Sequence, residues 1–171
     1  DSYEIALVVS NRPDAAGLEI ARSAGVAALG IDHKSYGKDR EAFDRAVDAA
    51  LRERDIEIVA LAGFMRVLTP FFVRAWEGLL INIHPSLLPK YPGVDTHARV
   101  LAAGDSMHGC TVHLVTEEVD SGEILGQARL PVLPNDTPET LAARVLELEH
   151  ALYPHCLADY ARRLARMGTE Q

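Results

Sequence analysis

Asn82-Ile83-His84-Pro85 is the stretch of this sequence best suited to chemistry. An asparagine amide donates hydrogen bonds to developing negative charge, and a histidine exchanges protons near neutral pH. Residues two apart on a strand project to the same side. If the apolar run Leu79-Leu80-Ile81-Asn82-Ile83 is a strand, the Asn82 amide and the His84 imidazole address one ligand. Pro85, Pro89 and Pro92 then stiffen the segment behind them. By themselves these residues equally suit a strand end where both side chains satisfy backbone groups, and both readings stay open at this point.

Asp120 is the third residue of interest, in Val115-Thr116-Glu117-Glu118-Val119-Asp120-Ser121-Gly122 just after another apolar run. A carboxylate beside His84 would favour the imidazolium and orient the ring. Asp-Ser-Gly is also an ordinary turn signal, the simpler account of these three residues alone. His97 and His113 read as surface or packing residues that could approach the site, and His33, His108, His150 and His155 share no metal-ligand spacing. The serines lack the setting of a nucleophile elbow, and neither common Gly-rich phosphate loop is present. Gly63-Phe64-Met65-Arg66-Val67-Leu68 suits an apolar slot with one cation at its mouth, or simply a strand-to-helix connection.

Strands and helices must alternate to position these groups. Ile5 to Val9, Val26 to Leu29, Ile56 to Leu61, Cys110 to Val115 and Ile124 to Leu133 read as further strands. Leu18 to Ala24, Glu41 to Arg54, a short segment opened by Thr69-Pro70, Thr96 to Ala103, and a last segment capped by Thr137 read as helices. Thr69 is expected to cap its helix, and Pro154 to kink or interrupt the last one. The alternation predicts an α/β fold: a mostly parallel twisted sheet with helices on both faces, one domain over residues 1–171. Ligands of such sheets gather at the carboxyl ends of strands, where Gly63–Arg66, Asn82–His84 and Thr116–Asp120 fall.

Composition narrows the function classes. The 17 Lys and Arg are outnumbered by 25 Asp and Glu and form no cluster, which speaks against a nucleic-acid surface. No apolar run approaches the ~20 residues of a membrane span, and nothing at the start reads as a signal peptide. Cys110 and Cys156 lie far apart without metal spacing, as reduced thiols of a cytoplasmic protein would.

Three segments together resemble the phosphoribosylglycinamide formyltransferase family, within the folate-dependent formyltransferases. They are Ala62 to Pro70, Leu80 to Gly93 with its Pro-Ser-Leu-Leu-Pro-Lys-Tyr-Pro-Gly loop, and Thr111 to Gly122; Glu149-His150 fits the same family. The similarity runs in order from about Val9 to Tyr153, and the Asn82-to-Gly93 run is its most specific part. The resemblance implies a Rossmann-like fold and formyl transfer from 10-formyltetrahydrofolate to the amine of glycinamide ribonucleotide. It assigns Asn82 to the oxyanion, His84 to proton donation, and Asp120 to raising the affinity of His84 for its proton and relaying one through water. Folate contacts would fall on Arg40, Met65, Arg66, Val67, Leu68, Asn82 and Thr116, Glu117, Glu118, Val119 and Asp120. The nucleotide side would involve Gly63, Ile83, Pro85 and Glu149. The implied partners are small molecules, with no metal, nucleic acid or membrane, and a monomer or homodimer.

Direct attack by an amine suits this residue set, since no covalent enzyme intermediate is required. The nearest alternatives are a hydrolase of 10-formyltetrahydrofolate and an inactive folate- or nucleotide-binding fragment. Two departures from the family stand out. Its first strand and phosphate-holding Gly-rich loop precede the point where this chain starts, so ~20 to 30 further N-terminal residues, one strand–helix unit, are expected in the natural protein. Leu146 stands where the family places a polar or basic phosphate contact.

Overall fold

A computed structural model describes residues 2–64 and 66–170 of the chain. In chain order the elements are β1 (Leu7–Ser10), α1 (Ala16–Ser23), β2 (Ala27–Gly30), a 3-10 turn (His33–Tyr36), α2 (Arg40–Glu53), β3 (Val59–Leu61), α3 (Pro70–Ala75), β4 (Leu80–His84), α4 (Thr96–Ala103), β5 (Met107–Leu114), β6 (Ile124–Pro131) and α5 (Pro138–Thr169). The α/β class and the order of elements agree with the sequence reading.

Strand direction differs from that reading. β1 pairs with β2 and β3 with β4 in parallel, but β4, β5 and β6 form an antiparallel ladder, so the expected mostly parallel sheet is mixed. β5 is buried along nearly its whole length, so it lacks the polar–apolar alternation of a half-exposed antiparallel strand. α4 lies between β4 and β5 in the chain and packs on α5.

Among the described residues, three apolar clusters hold the layers. Trp76, Phe72 and Val73 of the α3 region pack with Leu51 of α2 and Leu80 of β4, and Leu7 and Val9 of β1 lean on them. Ile81 and Val112 meet Cys156 and Tyr160 of α5 on the other side of the sheet. Val100 of α4, Cys110, Leu130, Leu141 and Val145 fill the third cluster. The Tyr153 hydroxyl donates to the carbonyls of Leu61 and Ile81 at 2.7 and 3.1 Å, tying α5 to the ends of β3 and β4.

Two local expectations change. α5 runs without interruption through Pro154, because Tyr153, Cys156 and Tyr160 anchor the turns around the missing N–H. Thr69 occupies the N-cap of α3, yet its hydroxyl does not cap. The Thr69 hydroxyl and N–H both donate to the buried Asp44 carboxylate, at 2.6 and 2.8 Å, which fastens the end of the 62–69 loop to α2.

Candidate functional site

The β4–β5–β6 ladder decides which side chains meet. Asn82 lies opposite His113, and His84 opposite Thr111, which in turn lies opposite Gln127. Partners across antiparallel strands share a face, so one face presents Asn82, His84, Thr111, His113 and Gln127. Leu80 belongs to the same face but lies under α3 and α2. Past that cover the strand turns from apolar to polar, and Asn82 and His84 emerge at its carboxyl end. The opposite face carries Ile81, Ile83 and Val112 against α5.

His84 is buried, with its two ring nitrogens in different settings. Nε2 lies 2.9 Å from the carbonyl oxygen of Tyr91, which can only accept, so Nε2 carries the hydrogen. Nδ1 faces the Asp120 carboxylate at 3.7 Å. Asp120 adopts a left-handed backbone (φ 54°), and its other carboxylate oxygen accepts the Gly93 N–H at 2.9 Å. That bond couples the Asp120 turn to the proline-rich loop after β4. Gly122 makes the tight return to β5 possible, since a Cβ there would sit 1.8 Å from the Leu114 carbonyl oxygen.

His113 joins the same cluster. Its Nδ1 donates to the Leu114 carbonyl at 3.0 Å, and its Nε2 points to Asp120 at 3.8 Å. Among the described residues, His113 Nε2 is the buried side-chain polar atom without a hydrogen-bond partner. Burial holds His113 below the ordinary histidine value, against the pull of the Leu114 carbonyl and the Asp120 carboxylate. Behind this cluster His97 and His108 bond to each other at 2.9 Å. Burial lowers both, with their mutual repulsion adding for His108, which is pushed down to about 4. On α5, burial raises Glu149, opposed by His150 and His84. The titratable groups around His84 are therefore Asp120 on its loop, His108 and His113 on β5, His97 on α4 and Glu149 on α5.

The remaining expected contacts are spread along the rim. Gly63 (φ 63°) turns the chain out of β3, and the Arg66 guanidinium stands 5.3 Å over the Phe43 ring. Val67 and Val119 are each about 70% exposed, unusual for valine and open to an apolar ligand surface. Leu68 leans on the Trp76 cluster instead. Thr116 closes the next turn by donating to the Glu118 carbonyl, and Glu117 pairs with Arg74 at 2.5 Å. Arg40 is exposed at the start of α2, and Met65 lies outside the described residues. On the nucleotide side, the Ile83 side chain packs against the core and the Pro85 carbonyl accepts from Thr96, while Glu149 remains partly exposed.

The structure thus brings His84 and Asp120 together on the face that carries Asn82, and adds His113 and Tyr91. Sequence reasoning set His113 aside, and its pairing with Asn82 depends on an antiparallel register that no local pattern reveals. The even spacing of Thr111 and His113 on one strand was the available signal. Tyr91 acts through its backbone, which residue type does not announce.

Comparison with known proteins places the whole chain. The family model described as Formyl transferase matches residues 1–157. The chain is 46% identical over 154 residues to the phosphoribosylglycinamide formyltransferase of Escherichia coli (strain K12), covering 90% of this chain and 72% of that protein. It is 50% identical over 165 residues to the trifunctional purine biosynthetic protein adenosine-3 of Gallus gallus, spanning 16% of that longer protein's length. Among solved structures, glycinamide ribonucleotide transformylase 1 from Symbiobacterium toebii superposes with a TM-score of 0.88 at 44% identity, covering 92% of this chain and 74% of that one. With the family model matching most of its length and relatives at 46% and 44% identity, the chain belongs to the formyl transferase family.

Proposed function

We propose that this chain, as a single domain of residues 1–171, transfers the formyl group of 10-formyltetrahydrofolate to the amine of glycinamide ribonucleotide, a step of purine biosynthesis. The observation that carries the reading is the constellation itself. Asn82 and His84 share one face at the carboxyl end of β4, with the Asp120 carboxylate 3.7 Å from His84 Nδ1. An amide donor, an imidazole and a carboxylate are what formyl transfer to an amine needs.

The rim fits a reduced folate. Exposed Val67 and Val119 offer apolar surface to a flat ring system, Arg66 offers a cation to its carboxylates, and His113 Nε2 is a buried polar atom awaiting a partner. When bound, the folate supplies the activated formyl carbon. Asn82 donates to the oxygen that gains negative charge as the amine adds to the formyl carbon, and His84, protonated at Nδ1, gives its proton to the folate nitrogen released when its bond to that carbon breaks. Asp120 stabilises the imidazolium and accepts the amine's proton through water. Proton transfers by a positioned side chain of this kind contribute about 100- to 10,000-fold.

No helix among the described residues is long and apolar enough to cross a membrane. We place the activity in the cytoplasm, acting on small molecules, without nucleic acid or membrane partners, as a monomer or homodimer. The deciding assay incubates the protein with 10-formyltetrahydrofolate in the presence and absence of glycinamide ribonucleotide. Formylated nucleotide and deformylated folate should appear together, only when the amine is present. Formate released at the same rate without the nucleotide would make the protein a hydrolase and overturn the reading.

A further inference from the structure

Ser86 is fully buried immediately after the catalytic strand, and no role above uses it. Its hydroxyl lies 2.6 Å from the Lys90 carbonyl and 3.1 Å from the Tyr91 carbonyl. The second is the carbonyl that takes the Nε2 hydrogen of His84. Tyr91 aims it from a left-handed backbone (φ 52°), a conformation that non-glycine residues keep only when their surroundings fix it. The surroundings do so from several sides. The Tyr91 hydroxyl bonds the Asp105 carboxylate, and the Arg99 guanidinium stands 5.5 Å over its ring. Thr111 donates to the Ser86 carbonyl at 2.7 Å and accepts the Leu88 N–H at 3.1 Å. Gln127 donates to the Leu88 carbonyl and to the Thr111 hydroxyl oxygen, both at 2.9 Å.

We propose that Ser86 is a positioning residue: its hydroxyl fixes the 90–91 carbonyls so that His84 keeps its hydrogen on Nε2 and works through Nδ1. A neutral imidazole carries one N–H, and the acceptor it meets selects the tautomer. A carbonyl held at hydrogen-bond distance from Nε2 leaves the Nδ1 lone pair facing Asp120 and the substrate. Without the Ser86 hydroxyl, the Lys90 and Tyr91 carbonyls lose their shared donor, and Tyr91 can relax toward the ordinary backbone region. The ring then loses its fixed acceptor, and the Nδ1–H form becomes accessible. In that form His84 donates to Asp120 but has no lone pair on the working side to collect the next proton.

The inference concerns the same site as the formyl-transfer reading, and it rests on that reading only where turnover is measured. The test is NMR of the full chain carrying isotope-labelled histidine, at a pH where His84 is neutral, for the native protein and Ser86→Ala. The native ring should be wholly Nε2–H. In the variant the Nδ1–H form should appear beside it, and kcat should fall about five- to tenfold, the equivalent of one net hydrogen bond, with both KM values unchanged. A folded Ser86→Ala whose ring stays entirely Nε2–H overturns the proposal, as does a fall in kcat with no change of tautomer. If the alanine variant does not fold, Ser86→Cys carries the same test, because it keeps the volume with a weaker donor. The NMR arm needs no substrate, so an inactive native protein would overturn the formyl-transfer reading and leave the tautomer result standing.

Discussion

The β1–β2 pair and the β4–β5–β6 ladder are stabilised by different means. β1 and β2 contribute four residues each, all or nearly all half-buried, and Leu7 and Val9 only lean on a core built by α2, α3 and β4. The ladder is denser and more polar. Ser86, Thr111, His84, His108 and His113 are buried there, each with a hydrogen bond. Apolar contact tolerates small displacements, whereas a buried hydrogen bond has a length, an angle and a large cost when broken. A site that must hold an imidazole, an amide and a carboxylate in register needs the second kind of support. The first kind suffices to fill space.

This contrast can be broken most sharply at His84. Replacing it with alanine should lower turnover by about 100- to 10,000-fold with folate binding largely kept. Asp120→Asn should lose most turnover too, since it keeps an acceptor for the Gly93 N–H and removes only the charge. Steady-state kinetics beside a folate titration measures both, and normal turnover in either variant would remove that residue from the chemistry.

A smaller effect should appear in the pH dependence of stability. His108 is fully buried and pushed from 6.5 down to about 4, first by desolvation and then by His97. Between those values the unfolded chain binds a proton that the folded one resists. The contribution is therefore complete above pH 6.5 and is lost as the pH falls toward 4. It amounts to something on the order of 3 kcal/mol for a group this well enclosed. Denaturant melts from neutral to mildly acid pH should show the loss, and His108→Gln should flatten the slope. An unchanged slope would mean that the buried pair does not resist protonation.

The smallest effect belongs to the other region. Val9→Ala in β1 should cost about 1 kcal/mol of stability and leave turnover unchanged, because it trims half-buried surface remote from any polar stake. A loss of turnover comparable to that of Ser86→Ala would show that β1 also sets the geometry of the site.

The sequence makes the fold class legible because its helices obey a local period: α2 and α4 begin and end within a residue of where their apolar spacing puts them. It also shows that Asn82 and His84 share a face, since that needs only the two-residue repeat of a strand. Asp120 is different. Its place beside His84 depends on a loop closed by Gly93 and Gly122, and only resemblance to a family suggested it. The antiparallel return of β5 and the recruitment of His113 rest on contacts distant in sequence. Thr69 shows the same limit on a smaller scale, because a residue typical of helix caps is claimed by a carboxylate 25 positions earlier.

Gly122 also restricts how this molecule can drift over generations. Glu117, Glu118 and Val119 face solvent, so charge and size there can be exchanged at little structural cost. At Gly122 even one methyl group meets the Leu114 backbone at 1.8 Å, and no rotation of a side chain relieves it. A lineage that gains any side chain there has to move the end of β5, and with it Asp120. The neighbourhood of the carboxylate can therefore diversify in what it attracts while its reach stays constant.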